Sequence, residues 1–304
     1  MTLLLLAALL PGVYWDAGPA TADALREAAI HAIVVPRANA DAWRGVAGVS
    51  ITTEDPAARV QLASPGVNYR INEASATQAP WVDANGWRFI RTASGRFFCD
   101  APGGASAIAA AEAYAYSADV LIHTDAEGLK PLGRMLSFLD GLPRAGVEPL
   151  ASIGFIDDGS AAASEWMNLL VRRNLLFRIV PEHDRHYRFL VKSSTQAQDP
   201  NLAVQEIRGR LTDAKRLLRV YGSEVVIARL TGPPQHVRVH LLNYAAARRD
   251  VAGVRVRILG RYPHHQAAVE GLQDAKLLDY SLDRRSTEFT IESLPSYAVI
   301  DLWR

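Results

Sequence analysis

Five acidic residues each follow a short apolar run with the composition of a β-strand. Asp16 follows "GVYW", Glu54 follows "VSITT", Glu73 follows "VNYRIN", Asp100 follows "RFFC" and Asp125 follows "DVLIHT". Acids in these places can converge, because the carboxyl ends of parallel strands meet at one edge of a sheet. Two facing carboxyl groups, one protonated and one ionised, are what most glycosidases use to cleave a glycosidic bond. An acid after a strand is also a common helix cap or turn residue, so each of the five has a structural alternative.

Tryptophans stand beside some of these acids, as a sugar-binding site requires. Trp15 precedes Asp16, and Trp81 lies two residues before Asp83 in a polar segment. The apolar faces of sugar rings stack on aromatic side chains, although a tryptophan is more often part of a hydrophobic core. Both interpretations stay open, and the residues predicted to bind substrate are Trp15, Asp16, Asn72, Trp81 and Asp83.

The sequence contains no other recognisable catalytic or metal-binding motif. It has no nucleophile elbow, no phosphate-binding P-loop, no dinucleotide-binding glycine pattern and no zinc-protease motif. His183 and His186 stand three residues apart and His264 and His265 are adjacent, but neither pair has a third His or Cys nearby. We therefore predict no metal ion and no cofactor. Cys99 is the single cysteine and follows two phenylalanines, which predicts a buried, unreactive thiol.

The composition is that of a folded protein with balanced charge. The 304 residues include 33 basic and 32 acidic side chains, and 49% of the residues are hydrophobic. A protein that binds nucleic acid needs a basic surface to neutralise phosphates, and this balance does not predict one. The composition therefore favours a globular protein that acts on something other than nucleic acid.

The chain begins with "MTLLLLAALLPG", an apolar run that ends in a Pro-Gly break. This run resembles the apolar part of a secretory signal without its usual basic start, so residues 1–12 are either a signal segment or a buried first strand. It is too short to span a bilayer, which takes about 20 residues in a helix, and no other stretch is long enough. We predict an exported protein, periplasmic or extracellular, with no membrane span.

Residues 13–146 alternate short β-branched or aromatic runs with helical segments, the pattern of a parallel sheet with crossover helices. The predicted strands are "GVYWD", "AIVVP", "GVSITT", "VNYRI", "GWRFIR", "RFFCD" and "DVLIHTD". About 140 residues are too few for a complete (β/α)₈ barrel, which takes about 250. The region is therefore predicted to be a compact or incomplete (β/α) barrel-like domain.

The rest of the chain divides into two further segments. In residues 147–222, "LASIGFIDDGS", "AAASEWMNLLVRRN" and "LLFRIV" predict a strand, an amphipathic helix and a second strand, followed by "YRFLVK" and a helix over residues 202–221. This unit could supply the eighth strand of a barrel, but because it carries its own second and third strands we predict a separate flavodoxin-like βαβ segment. In residues 223–304, six runs alternate at period two with no helix between them, which predicts a C-terminal antiparallel β-sandwich. The fold class is thus α/β followed by all-β.

This order of segments resembles that of bacterial glycoside-hydrolase-like proteins, which join a TIM-type barrel, an amidotransferase-like domain and a C-terminal β-sandwich. "IGFIDDGSAAASEWMNLLVRRN" is similar to the opening strand and helix of their amidotransferase-like domain, and "HVRVHLLNYA" with "STEFTIESLPSYAVIDL" is similar to their sandwich. "VNYRINE" is similar to the fourth barrel strand of clan A glycosidases, where an Asn-Glu pair supplies the acid/base. The nucleophile of that clan is a Glu after strand seven, and Asp125 takes that place here.

The resemblance implies a carbohydrate-active protein with paired carboxylates. Glu73 would be the general acid/base, Asp125 the opposing carboxylate, and Asn72 would hold a substrate hydroxyl beside the acid. The alternative is a non-catalytic relative of the same architecture that binds a glycan or a protein in the same groove, because a fold does not imply a function. A distance above about 10 Å between the carboxyl groups of Glu73 and Asp125 would exclude the paired mechanism.

Overall fold

The computed structural model describes residues 9–71, 78–181, 187, 189–192 and 199–304 of the chain. Its strands are β1 (Gly12–Tyr14), β2 (Ala32–Val35), β3 (Ser50–Thr53), β4 (Val60–Leu62), β5 (Gly66–Ile71), β6 (Gln78–Asp83), β7 (Arg96–Asp100), β8 (Asp119–His123), β9 (Ile153–Ile156), β10 (Phe177–Ile179), β11 (Leu190–Lys192), β12 (Leu218–Tyr221), β13 (Val226–Thr231), β14 (His236–Asn243), β15 (Val251–Leu259), β16 (His264–Val269), β17 (Leu277–Leu282), β18 (Ser286–Leu294) and β19 (Tyr297–Trp303). Its α-helices are α1 (Ala22–Glu27), α2 (Gly86–Arg91), α3 (Ala105–Tyr116), α4 (Ala126–Asp140), α5 (Ala161–Arg172), α6 (Pro200–Arg210) and α7 (Thr212–Lys215). In these ranges, no helix is both long and apolar enough to cross a membrane.

Six strands form one parallel sheet in the order β3-β2-β1-β8-β7-β4. Numbered within this sheet alone, the order is 3-2-1-6-5-4, and the last strand, β8, pairs with the first, β1. A doubly wound dinucleotide-binding sheet runs 3-2-1-4-5-6 instead. The observed order is that of a barrel opened between β3 and β4, and the described residues form no closed barrel. The predicted parallel α/β region is thus confirmed, in an open form.

Arg59 joins the two sides of the opening between β3 and β4. Its guanidinium donates to Glu54 Oε1, after β3, at 2.8 Å and to Asp119 Oδ1, at the start of β8, at 2.7 Å. The Arg59 side chain is buried, and burial opposes its charge. The hydrogen bonds from Arg59 to Glu54 and Asp119 outweigh that effect and raise the pKa of the guanidinium. Ion pairs, rather than hydrogen bonds between strands, therefore connect the residues on either side of the opening.

The two faces of the parallel sheet have different surroundings. On β7, Phe97 is buried, whereas Phe98 is half-buried and Asp100 is exposed. The face of Phe97 continues through Ile33 on β2 and Ile122 on β8, both buried, and α3 packs on β8. Strand side chains alternate between faces, so Phe98 and Asp100 point to the other side, which a closed barrel would bury. We call this second face, which carries Tyr14, Phe98 and His123, the inner face.

Two of the predicted strands were wrong in type or place. "GWRFIR" is the helix α2, in which Phe89 is buried against Phe97 with ring centroids 5.0 Å apart. "VNYRI" is β5, which pairs antiparallel with β6 in a hairpin outside the parallel sheet. Its predicted place in that sheet belongs to β4, a three-residue strand that pairs with β7. Aromatic and β-branched residues favour strands locally, but tertiary packing decided both cases.

The middle segment contains a small parallel sheet of order β10-β9-β11. Helix α5 connects β9 to β10 and begins at Ser160, whose hydroxyl accepts from the amide of Ala163 at 3.0 Å. Arg91 of α2 donates to both carboxylate oxygens of Asp157, at 2.8 and 2.9 Å, which ties this segment to the first. The predicted helix over residues 202–221 is shorter: it ends at Arg210, and α7 and β12 follow.

The last segment forms two four-stranded antiparallel sheets. The first, called the β14 sheet, has the order β13-β14-β19-β16, and the second, called the β15 sheet, has the order β12-β15-β18-β17. Among the described strands, none of these eight joins the parallel sheet, and the antiparallel part of the fold class is confirmed. Strand β12 precedes the predicted start at residue 223. The domain boundary itself stays a prediction.

Helix α3 contacts the β14 sheet through a buried carboxylate. Glu112 Oε1 accepts from the hydroxyl of Tyr244 at 2.6 Å and from the amides of Asn85 and Gly86 at 2.6 and 2.9 Å. Burial raises the pKa of Glu112 to about 7, although these hydrogen bonds oppose the shift. One side chain therefore joins α3, the start of α2 and the loop after β14.

A second buried polar group lies on the β14 sheet. His240 Nδ1 lies 2.6 Å from the Tyr297 hydroxyl, and its Nε2 lies 3.1 Å from Thr231 Oγ1. Burial and, to a lesser extent, neighbouring arginines lower the pKa of His240 well below its ordinary value, so the ring is neutral. Arg238 and Asp301 form a buried ion pair beside it, with Nη2 of Arg238 2.6 Å from Oδ2 of Asp301. We call these residues, together with Glu112 and Tyr244, the interface cluster.

Candidate functional site

The carboxyl edge of the parallel sheet brings Asp16, Asp100 and His123 together. Asp16 follows β1, Asp100 ends β7 and His123 ends β8, the strand that lies between them. His123 Nδ1 lies 2.9 Å from Asp100 Oδ1, and His123 Nε2 lies 3.3 Å from Asp16 Oδ1. The side chains of Asp16 and Asp100 are 59% and 67% exposed, whereas that of His123 is 25% exposed. We call these three residues the edge cluster.

The edge cluster fixes the orientation of the imidazole. Each ring nitrogen of His123 faces one carboxylate oxygen, so a protonated ring donates to both aspartates and a neutral ring donates to one of them. The carboxylates also keep exposed oxygen atoms that can accept hydrogen bonds from hydroxyl groups.

Aromatic side chains line the inner face directly below the edge cluster. The ring of Phe98 stacks on that of His123, with centroids 6.3 Å apart and an angle of 17° between the rings. Tyr14 packs edge-on against both, with centroids 5.4 Å from Phe98 and 6.0 Å from His123. Burial, followed by the charges of Asp16 and Asp55, raises the pKa of Tyr14, which therefore stays protonated. The inner face is thus an aromatic surface bordered by acids.

Asp125, the predicted nucleophile, is the N-cap of α4. Its Oδ1 accepts from the amide of Gly128 at 2.8 Å and from the amide of Gly103 at 2.9 Å. These backbone hydrogen bonds lower the pKa of Asp125, the bond from Gly103 most. The carboxylate is therefore ionised and already engaged, which favours the structural alternative. Its predicted partner Glu73 and the adjacent Asn72 lie outside the described residues, so the distance that would test the pair stays open.

The other predicted binding residues do not gather around the edge cluster. Trp15 is buried, and its indole nitrogen donates to Thr21 Oγ1 at 2.8 Å, which is the core role that the sequence left open. Trp81 lies on β6, with the guanidinium of Arg172 3.4 Å from the centroid of its ring. Asp83 ends the same strand and accepts a hydrogen bond from Asn68 of β5. Of the predicted residues that the structure describes, only Asp16 belongs to the edge cluster.

The edge cluster is not arranged as a metal site. Its two carboxylates contact opposite nitrogens of one ring, so the three side chains do not aim their donor atoms at a common point. Nowhere in the described ranges do three or more His, Cys, Asp or Glu side chains form a group that could hold a metal ion.

His123 is the functional candidate that the sequence reasoning missed. The signal was present: His123 is the last residue of "DVLIH", so it lies at the strand end, beside Asp100 of the neighbouring strand. Because only carboxyl groups were considered as candidates, Asp125, two residues later, was predicted instead of His123. Asp100 was one of the five strand-end acids, and its contact with His123 distinguishes it from the rest.

Comparison with known proteins places the fold but not the function. No protein-family model matches the chain, and no curated protein matches it in sequence. Its structure is similar to that of α-L-fucosidase isoenzyme 2 from Paenibacillus thiaminolyticus, with a TM-score of 0.51 and 9% identity. The similarity covers 72% of this chain and 62% of the fucosidase chain, so the match spans less than two thirds of that protein. The fold is therefore glycoside-hydrolase-like.

Weaker similarities to other glycosidases exist as well. A GH42 β-galactosidase from G. stearothermophilus matches with a TM-score of 0.33 and 11% identity, over 96% of this chain and 60% of that chain. A family 30 subfamily 8 xylanase from Clostridium acetobutylicum matches with a TM-score of 0.24 and 8% identity, over 98% and 97% of the two chains. These scores are too low to carry an argument about fold or function.

Proposed function

We propose that the protein binds carbohydrate on the inner face of its open parallel sheet, at the edge cluster. The observation that supports this most is the stacked pair of Phe98 and His123 with Asp16 and Asp100 on either side of the imidazole. A sugar ring has an apolar face that stacks on an aromatic surface and hydroxyl groups that carboxylates bind. The edge cluster and the Phe98 ring beside it offer an aromatic surface and carboxylate acceptors on neighbouring side chains.

The open barrel supports the same proposal. A closed barrel fills its interior with side chains, and active sites then lie only in the loops above the strands. Here the sheet is open between β3 and β4, and on the inner face Tyr14 and Leu121 are buried, whereas Phe98 is half-buried and the side chain of Asp100 is 67% exposed. The proposed ligand would therefore lie along the sheet itself. The similarity to a fucosidase fold is consistent with a sugar as that ligand.

Of the two forms that the sequence left open, the described geometry favours binding without hydrolysis. Hydrolysis with retention needs two carboxyl groups facing each other about 5 to 5.5 Å apart. Asp16 and Asp100 have an imidazole between them, and Asp125 is engaged by two backbone amides. Hydrolysis by Glu73 with Asp125 remains the second form of the proposal, because Glu73 lies outside the described residues.

The binding proposal is tested by titrating neutral oligosaccharides from a glycan panel against four proteins. We expect Phe98→Ala and Asp100→Asn to weaken binding at least about tenfold, because they remove the stacking surface and a hydroxyl acceptor. Tyr221→Ala is the matched control, since Tyr221 is a half-buried aromatic residue on the β15 sheet. Wild-type protein that binds no neutral glycan, or variants that bind as it does, would contradict the proposal.

The hydrolytic form and the predicted export are tested separately. Chromogenic glycosides are incubated with the wild type, Glu73→Gln and Asp125→Asn, and a product that the wild type releases and Glu73→Gln does not would establish hydrolysis. We also propose that residues 1–12 direct export. Sequencing the N-terminus of protein recovered outside the cytoplasm checks this, and a retained first segment in a purely intracellular protein would refute it.

A further inference from the structure

We propose that the protein has a second ligand site, separate from the edge cluster, which binds an acidic oligosaccharide carrying carboxylate or sulfate groups. The site is a cavity of about 1080 Å³ between the middle segment and the β15 sheet. Six basic side chains line it: Arg210, Lys215, Arg261, Arg284, Arg285 and Arg304. The choice of a sugar as the carrier of the negative charge rests on the proposed function; the preference for an anion does not.

The basic side chains come from separate parts of the chain. Arg210 and Lys215 end α6 and α7, Arg261 follows β15, and Arg284 and Arg285 form the turn between β17 and β18. The fold therefore concentrates positive charge at one place in a protein whose formal net charge is only +1. Like charges held together repel, which destabilises the protein when the cavity is empty. A bound anion relieves this repulsion, so the basic cavity favours anion binding.

Nearby acids do not neutralise this charge. In the part of the chain that the structure describes, no carboxylate forms an ion pair with any of the six basic residues. Asp213 of α7 pairs instead with Arg219 and Arg216, and the carboxylate of Asp283 accepts from the amide of Arg284. Burial and then the charges of Arg208 and Arg219 lower the pKa of Arg216 to about 10. The region around α7 is thus positive beyond the cavity lining itself.

The apolar part of the lining indicates more than a site for a small inorganic anion. Leu211, Leu217 and Leu259 contribute to it, together with Phe189 and Pro263. Ligand-binding cavities commonly measure about 300 to 1,000 Å³, so this one has room for several sugar rings. Sugar faces can lie on the apolar side chains while charged substituents reach the arginines, whose planar guanidinium groups bind carboxylate and sulfate through two hydrogen bonds.

The cavity and the edge cluster should therefore select different ligands. The edge cluster carries two aspartates and disfavours acidic sugars, whereas the cavity is basic and favours them. A neutral glycan that binds at Phe98 and an acidic one that binds at Arg284 can be measured independently on the same protein. Failure of one proposal leaves the other intact.

The test uses isothermal titration of the full chain with tetragalacturonate and a chondroitin sulfate tetrasaccharide, with cellotetraose as the neutral probe and pyrophosphate as the sugar-free anion. We expect both acidic sugars to bind, the affinity to fall as salt increases, and Arg284→Glu with Arg285→Glu to weaken it at least about tenfold. Lys215→Glu, on a different element, should weaken it as well. Arg134→Glu on α4 makes the same charge change at an exposed residue outside the cavity and should leave it within about twofold.

Three results would overturn this inference. The first is the absence of binding by either acidic sugar at low salt, and the second is an unchanged affinity in the Arg284→Glu/Arg285→Glu and Lys215→Glu proteins. The third is pyrophosphate binding as tightly as the acidic sugars, which would show that the sugar rings are not recognised. Melting temperatures of all variants, measured in parallel, identify any loss of affinity that comes from unfolding.

Discussion

The edge cluster and the interface cluster use the same kinds of side chain in opposite surroundings. Both join histidine and carboxylate side chains, but Asp16 and Asp100 are largely exposed, whereas Glu112 and His240 are buried. In the interface cluster the partners are protein groups: Glu112 joins α3 to Tyr244 in the loop after β14, and His240 pairs with Tyr297 within the β14 sheet. In the edge cluster the carboxylates keep access to solvent. The same types of side chain therefore stabilise the fold in the interface cluster and are accessible to a ligand in the edge cluster.

This difference should appear in how each cluster responds to mutation. Removing a partner from a buried polar contact leaves an unsatisfied group away from water, which costs stability. Removing an exposed partner lets water take its place, which costs little stability but can cost function. The expected effects are therefore large on stability for the interface cluster and small for the edge cluster.

The largest effect is expected when the buried ion pair of the interface cluster is broken. Asp301→Ala leaves Arg238 charged and buried, because the two side chains are only 9% and 4% exposed. We expect the free energy of unfolding to fall by about 3 to 5 kcal/mol in denaturant titrations. Asp23→Ala breaks the exposed pair of Asp23 and Arg26 and should cost no more than about 1 kcal/mol. Equal losses in the two variants would contradict the comparison.

The pH dependence of stability should come next in size, through Glu112. Its folded-state pKa of about 7 lies above the ordinary value of 4.5, so the folded protein holds a proton that the unfolded chain releases. The contribution of Glu112 to stability is therefore greatest below about pH 4.5 and is lost as the pH rises from there through 7, by at most about 3 kcal/mol.

Glu112→Gln should remove this part of the pH dependence. The amide keeps an oxygen in the place of Oε1 and cannot ionise, so the profile between pH 5 and 8 becomes flatter. Glu27→Gln is the control, because the side chain of Glu27 is 67% exposed. A profile in Glu112→Gln that is as steep as that of the wild type would show that Glu112 is not the titrating group.

Asp125 should behave as a cap, with a smaller effect on stability. Asp125→Ala removes the acceptor for the amides of Gly128 and Gly103, and we expect a melting temperature lower by a few degrees. Asp125→Asn keeps an oxygen acceptor and should recover most of the loss. If Asp125→Asn instead keeps the melting temperature but abolishes a measured hydrolysis, Asp125 is a catalytic residue as the sequence predicted.

The smallest effect on stability is expected in the edge cluster itself. Asp100→Asn changes an exposed side chain and should alter the free energy of unfolding by less than about 0.5 kcal/mol, measured by denaturant titration. The same variant is expected to lose glycan affinity. A destabilisation as large as that of Asp301→Ala would show that the edge cluster is also part of the architecture.

Local patterns were enough to identify most elements and the strand-end acids. "GVYW" contains β1 and places Asp16 after it, and alternation in "RFFCD" places Asp100 at the end of β7. Period-two runs identified most strands of the two antiparallel sheets. These patterns record which side of an element is buried, and that information is contained in neighbouring residues.

Contacts between distant residues could not be predicted in this way. Helix α2 was assigned as a strand because Trp87 and Phe89 favour strands, while the group that caps its start is Glu112, 26 residues from Gly86. The short β4, with three residues, carries too little pattern to be noticed. Strand β12, predicted as part of a helix, pairs with β15, and that pairing also joins residues distant in the sequence.

The sequence by itself determined the order of α/β and all-β segments and the positions of acids at the ends of strands. Only the tertiary structure decided that the sheet order is 3-2-1-6-5-4, that Asp125 faces backbone amides, and that His123 lies between Asp16 and Asp100. The physical reason is distance along the chain: His123 is 107 residues from Asp16 and 23 from Asp100. Which strand ends become neighbours depends on how the strands pair, and pairing is a property of the whole sheet.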